Sequence, residues 1–266
     1  MIFDTHSHLQ FDDYDNIENE LKTMEELGVK YSTLIGSDFE STENALVIAR
    51  KHSEFFVVAG ITHPIESPQI ANLEEEIAKV ETQIMENRKY IVGIGEVGLD
   101  YFHLNQEKIE EEKEIQKRVF IENIKLAEKF NLPIIVHIRD AWDDAYEILS
   151  KANFANNIVI HCYTGSPEIA AKYLNLSDKI YFGFSGIVTF KNALSVQETV
   201  PNIPLARILV ETDAPYLAPV PYRGKLNTSG YVKFVLDKIK ELRTETPELV
   251  ENTIYENSLR FYGITD

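Results

Sequence analysis

Apolar residues in this chain alternate between two patterns. Short runs rich in β-branched and aromatic residues stand at Ile2–His8, Tyr31–Ser37, Phe55–Ile61, Ile91–Val97, Ile134–Arg139, Ile158–Tyr163, Lys179–Ser185 and Ile208–Asp213. Several, such as Ile134-Ile135-Val136 and Ile158-Val159-Ile160, are apolar without alternation. Continuous runs of this kind suit parallel strands covered on both faces. Between them, apolar positions recur at helical spacing over Ile17–Leu27, Glu43–His52, Leu73–Asn87, Glu107–Phe130, Ala141–Lys151 and Pro167–Leu174, with two more helices predicted at Gly230–Leu242 and Pro247–Phe261. In the Glu- and Lys-rich stretch Glu107–Lys129, Phe120, Ile124 and Ala127 mark the buried stripe, and the charges read as a solvated face. No long Gly/Ser/Pro linker or internal repeat interrupts the alternation. Eight strands with helical connections predict a (β/α)8 barrel, with a doubly wound open sheet as the alternative.

Length and charge narrow the picture. A chain of 266 residues suits one barrel domain over residues 1–266, since such barrels commonly run to about 250 residues. The apolar runs are too short to span a bilayer, so no membrane association is expected. A single cysteine, Cys162, precludes an internal disulfide framework. With no targeting segment in view, this predicts a reducing, cytoplasmic setting. No obligate protein partner is evident. The 26 basic and 43 acidic residues give a formal charge of −17, which argues against gripping nucleic acid through a broad basic face. A phosphate substrate stays possible, because bound divalent cations invert the charge of a site locally.

The chemistry sits at the strand ends. In Asp4-Thr5-His6-Ser7-His8-Leu9, residues i and i+2 of one strand project His6 and His8 to the same side. Glu96, His137, His161 and Asp213 occupy the ends of strands 4, 5, 6 and 8. In an α/β barrel the C-terminal strand ends build the active site, so six metal-ligand side chains converge on one rim. Imidazoles mixed with carboxylates suit Zn, Mn or similar divalent ions and do not exclude Mg. Six donors exceed one four-coordinate ion, so two ions sharing a carboxylate are expected.

These segments together, with G-E-V-G-L-D-Y from Gly95, H-I-R-D-A from His137, H-C-Y-T-G-S from His161 and E-T-D-A-P-Y-L-A-P from Glu211, resemble the TatD-type metal-dependent DNases among the amidohydrolase-like barrels. The likeness runs almost the whole length of the chain. It implies His6, His8, Glu96 and Asp213 around one metal, and Glu96, His137 and His161 around the second, with Glu96 bridging. It also implies hydrolysis of DNA phosphodiesters, often as a 3′-to-5′ exonuclease. Glu96 and Asp213 then form the catalytic pair, Asp213 orienting or deprotonating the attacking water. Strand 4 offers no Lys that could bridge the ions in carboxylated form, as in many two-metal amidohydrolases. Arg139, two residues after His137, favours an anionic substrate.

Glu211 lies two residues before Asp213, on the same strand face, and is expected to position ligands or water, or to pack. His63 ends strand 3 and is expected to touch substrate phosphate. The family pattern there is G-x-H-P, whereas this chain has Gly60-Ile61-Thr62-His63-Pro64. Arg223-Gly224-Lys225 reads as a phosphate clasp, a fork beside a point charge. The family pattern is close to R-G-K-R-N-E-P; here Leu226 replaces a basic residue and Thr228-Ser229 replace Glu-Pro, which removes one phosphate contact. Cys162 should point away from His161 toward the helices. His52 and His103 are expected at the surface or in caps, Trp142 in helix packing, and Tyr101 either in packing or stacked on a base. The rival functions are a two-metal amidohydrolase for a small C–N or ester substrate and a non-catalytic metal- or partner-binding barrel.

Overall fold

A computed structural model describes residues 1–266. Eight strands run β1 Ile2–Ser7, β2 Val29–Gly36, β3 Phe55–Ala59, β4 Ile91–Asp100, β5 Ile134–Arg139, β6 Ile158–Ile160, β7 Ile180–Phe184 and β8 Ile208–Val210. They pair in parallel in strict sequence order. A doubly wound sheet would reverse its order at a switch point; here β8 comes back to β1. Closure rests on a bridge between Ser7 and Ala214 and on two backbone hydrogen bonds, His8 N to Ala214 O at 2.7 Å and Asp213 N to His6 O at 2.9 Å.

Nine α-helices surround the barrel: α1 Ile17–Glu26, α2 Phe39–Ala49, α3 Leu73–Glu86, α4 Ile109–Phe130, α5 Trp142–Ala152, α6 Pro167–Leu174, α7 Leu194–Thr199, α8 Val232–Leu242 and α9 Pro247–Tyr262. Helix α2 begins four residues before the expected Glu43. Asp38 and Ser41 form a reciprocal capping box there, which satisfies two orphan N-terminal donors. Helix α7 was not expected, because six residues are too few for a helical period to register. The interior of the barrel is one buried cluster with a residue from seven strands: Phe3, Ile35, Val58, Ile135, Val159, Tyr181 and Leu209. Tyr255, Phe261 and Tyr262 of α9 join it and stop the N-terminal end. No helix is long and apolar enough to cross a membrane.

Strands β6 and β8 leave the ladder earlier than expected, and β4 stays in it longer. Cys162 (φ +44°) and Asp213 (φ +58°) adopt left-handed backbone, which ends extended pairing. The tail of β8 is instead held by Asp4. Its buried carboxylate accepts hydrogen bonds from Thr212 N at 2.8 Å, Thr212 Oγ1 at 2.7 Å and Ser229 Oγ. Burial pushes the Asp4 carboxyl up to about 7 against those hydrogen bonds. Asp4→Ala would leave buried donors without an acceptor and should cost about 3 kcal/mol. Urea denaturation of the metal-loaded protein checks this. An unchanged midpoint would mean that the seam between β1 and β8 does not depend on Asp4.

Candidate metal centre

Glu96 reaches the barrel mouth through an irregularity in β4. The pairing of β4 with β5 shifts register between Ile94 and Val97, as at a β-bulge, which re-aims the intervening side chain. The shift depends on glycine. Gly95, inside the shifted stretch, has φ +155°, and a Cβ there would lie 2.7 Å from Ile135 Cβ and 2.8 Å from the Ile135 carbonyl oxygen.

The two oxygens of Glu96 face different neighbours. Oε1 lies 2.9 Å from His137 Nδ1, 2.8 Å from His161 Nε2 and 3.3 Å from His63 Nε2. Oε2 lies 3.4 Å from His6 Nε2 and 3.8 Å from His8 Nε2. Those two nitrogens are 3.2 Å apart and lie 3.5 and 3.6 Å from Asp213 Oδ1. Four donors at about 2.1 Å from a tetrahedral ion would be separated by about 3.4 Å. His6, His8 and Glu96 therefore have the spacing of metal donors, with Asp213 at matching distances from both imidazoles. The group on Oε1 is drawn tighter, at hydrogen-bonding distance.

Outer partners fix which nitrogen of each ring turns inward. His8 Nδ1 is 3.1 Å from Ile35 O, His161 Nδ1 is 3.1 Å from Glu211 Oε1, and His137 Nε2 is 3.1 Å from Asp100 Oδ2. Tying one nitrogen to an oxygen selects the tautomer and presents the other as a donor. Only the His6 ring differs: its buried Nδ1 has no hydrogen-bond partner, and it stacks on His161 with centroids 4.0 Å apart. The donor types, their spacing and the tethered far sides of His8, His137 and His161 suit divalent ions.

Glu211 positions His161 and also accepts from Cys162 N. It stands against Gly183, where a Cβ would meet Glu211 Oε2 at 2.3 Å. Asp100 was missed by sequence reasoning. It follows Glu96 by four residues, an even spacing on one face of β4, so extending the strand would have found it. Its Oδ2 also lies 3.0 Å from His103 Nδ1, so His103, exposed as expected, touches the centre through Asp100. The expectation for Cys162 is corrected. Its left-handed backbone turns the side chain along the rim, where Sγ lies 3.2 Å from Ser185 Oγ. Burial, with the charge of Asp213 second, pushes the thiol up to about 12, so it is no nucleophile. Tyr101 donates to Asp144 at 2.6 Å, and Trp142 packs on Tyr163 and Tyr173. His52 lies 3.7 Å from Glu18. The expected substrate cations rest on aromatic rings: Arg139 lies over Phe102 at 3.8 Å and Arg223 over Phe190 at 4.3 Å, while Lys225 is 5.8 Å from the Tyr222 ring.

Electrostatics separate the groups. Burial opposes the charge of Glu96 and Asp213, but surrounding histidines outweigh it: His161 and His63 act most strongly on Glu96, and His8 and His161 on Asp213. Both carboxyls lie below their usual range. Burial pulls His161 and His63 down, yet carboxylates win. Glu96 and Glu211 raise His161 well above its usual value, and Glu96 and Glu66 raise His63 to about 10. Burial, then the charge of His161, lowers His6. In the metal-free protein His161 and His63 therefore hold protons at neutral pH. A ligand histidine must be neutral, so metal loading should release protons and weaken as pH falls. Calorimetric titration with Mn²⁺ in two buffers of different ionisation heat reads this directly. A buffer-independent heat would overturn the protonation pattern.

A family model described as TatD related DNase matches residues 3–263. The uncharacterized metal-dependent hydrolase YabD of Bacillus subtilis (strain 168) is 37% identical over 266 residues, covering 99% of this chain and 100% of that protein. The uncharacterized metal-dependent hydrolase YcfH of Escherichia coli (strain K12) is 30% identical, with 99% and 96% covered. Among solved structures, the TatD homolog YjjV from Escherichia coli K12 superposes with a TM-score of 0.90 at 23% identity, covering 99% of this chain and 98% of that one. At that identity the likeness speaks to the fold alone.

Proposed function

The chain belongs to the TatD-related DNase family and is a metal-dependent hydrolase, and from that premise we propose that it holds two divalent ions and cleaves phosphodiester bonds of DNA, removing nucleotides from 3′ ends of single strands. The observation that carries this reading is the division of Glu96, with one oxygen toward His6, His8 and Asp213 and the other toward His137 and His161. Mg, Mn or Zn would suit this donor set. Such ions supply Lewis-acid polarisation of the phosphate and acidify the attacking water.

The chain's own residues do the rest. Asp213, held ionised, accepts a proton from the attacking water. His63 faces the same centre through Nε2 and contacts a phosphate oxygen. Arg139, Arg223 and Lys225 bring positive charge to the mouth of a chain whose formal charge of −17 opposes DNA binding overall. The stacked rings under the two arginines keep the guanidinium planes in place.

The test is a 5′-labelled single-stranded oligonucleotide with a free or a blocked 3′ end, incubated with the protein and each metal, beside a panel of small esters and amides. Stepwise shortening from the free 3′ end is expected. Turnover of the panel without cleavage of DNA would favour the small-substrate amidohydrolase, and no turnover of either would favour a non-catalytic barrel. Within this reading, Arg223→Ala should raise KM for DNA about tenfold while kcat holds. It would remove binding common to the ground and transition states. A fall in kcat alone would make Arg223 a transition-state group.

A further inference from the structure

The end of the barrel opposite the metal centre carries its own concentration of free positive charge. Of the 26 Lys and Arg residues, sixteen have a carboxylate within 4.0 Å. The ten that do not fall into two sets. Arg139, Lys191, Arg223 and Lys225 follow strands β5, β7 and β8, at the mouth. The other six, including Arg88, Lys89, Lys179 and Arg260, precede strands or end helices, at the far end. Those four line a cavity of about 650 Å³ that has no Asp or Glu in its wall, in a chain with a formal charge of −17.

Helix ends do not consume this charge. The C-termini of barrel helices point toward this face, and cations commonly answer them. Here the last carbonyls of α4 are met by Arg88, which donates to Phe130 O at 3.1 Å, and by Leu132 N. Those of α9 are met by Gly263 N and Ile264 N. Arg88 is fixed by a second bond to Ile91 O at 3.0 Å. Lys89 and Lys179 reach out, exposed, without a side-chain hydrogen bond or ion pair. The same wall contains the half-buried rings of Tyr31 and Phe56, edge to face at 5.4 Å. It also contains Asn156 and Asn157, whose amide groups donate to the chain while their oxygens accept nothing from it.

We propose that this cavity is a second ligand site, for a nucleotide-type anion: a phosphate held by Lys89, Lys179 and Arg260, and a heteroaromatic ring set against Tyr31 and Phe56. The volume lies inside the range of about 300–1,000 Å³ usual for small-molecule sites. Cations, ring faces and amide oxygens are the three features such a ligand needs, for its phosphate, its base and its exocyclic amine. The site is independent of the reaction at the mouth and does not rest on the nuclease reading.

The experiment is calorimetric titration of dAMP into the metal-loaded protein, before and after chelator, beside deoxyadenosine and inorganic phosphate. A dAMP-binding component that survives chelator is expected. It should weaken about tenfold or more in Lys179→Ala/Arg260→Ala, as expected for lost charge-assisted contacts, and persist in Arg223→Ala. Both substitutions of the double variant are on exposed side chains, and circular dichroism verifies its fold. Deoxyadenosine and phosphate should each bind more weakly than dAMP. The proposal fails if no component survives chelator, if the double variant binds as wild type does, or if phosphate alone binds as tightly as dAMP.

Discussion

Glu96→Ala should strip metal from both halves of the centre, whereas His6→Ala should mainly deplete one. The asymmetry follows from position. His6 Nε2 faces only Glu96 Oε2, Asp213 and His8, but Glu96 is the side chain within 4 Å of both donor groups. Loss of an outer hydrogen-bond partner typically costs 10–100-fold in metal affinity, so loss of a shared ligand should cost about 100-fold or more at each site. Removing Glu96 also brings five imidazoles together without the carboxylate that balances them. His161 and His63 would then lose the partner that raises their proton affinity most among their neighbours, and the remaining rings would compete poorly for two cations. Elemental analysis after gentle reconstitution should read close to two ions per chain for the wild type, near zero for Glu96→Ala and about one for His6→Ala. Turnover should follow metal content. Equal depletion in both variants, or one ion in the saturated wild type, would overturn the bridged arrangement. Glu96→Gln separates charge from shape, because it keeps the volume at the bulge while giving up an anionic oxygen.

Much of this centre was legible because a parallel barrel converts sequence position into spatial position. An even step beyond an interior residue lands on the same face. Ile135 is followed by His137, Val159 by His161 and Leu209 by Glu211, and each pair has its first member in the barrel interior. The strand ends thus name the candidates in the sequence itself. What stayed hidden depended on departures from the strand. Left-handed backbone at Cys162 breaks the alternation that would have sent its side chain outward. The extra length of β4 concealed Asp100. His63 comes within 3.3 Å of Glu96 through the loop after β3, closer than a substrate-contact role required. The far-end cavity had no linear signature, since its wall is assembled from chain segments that precede five different strands and from the tail of α9.

Asp213→Asn should keep the fold and most of the metal yet lower kcat by about 10²-fold or more, the usual range for a general acid–base group. The side chain is placed for that role by its backbone. Asp213 N donates to His6 O and Asp213 O accepts from Tyr216 N at 2.9 Å, so an amide of the same shape would sit where the carboxylate does. It would retain an oxygen toward His6 and His8 but could not take a proton. The pH dependence distinguishes base from passive ligand. Histidine charges hold the Asp213 carboxyl below its usual value despite burial, so its base form is present through neutrality and is lost only as pH falls through that depressed value. His161 and His63 bind protons at much higher pH, and their protonation competes with metal. Activity on the acid side should therefore fall first through metal loss, and saturating metal should move that limb to lower pH. In Asp213→Asn the residual rate should keep the metal-dependent limb. Any further decline in the wild type at saturating metal, absent from the variant, belongs to the Asp213 carboxylate. Turnover near the wild-type rate with two ions retained would reduce Asp213 to a ligand, and the proton acceptor would have to be sought elsewhere on the rim.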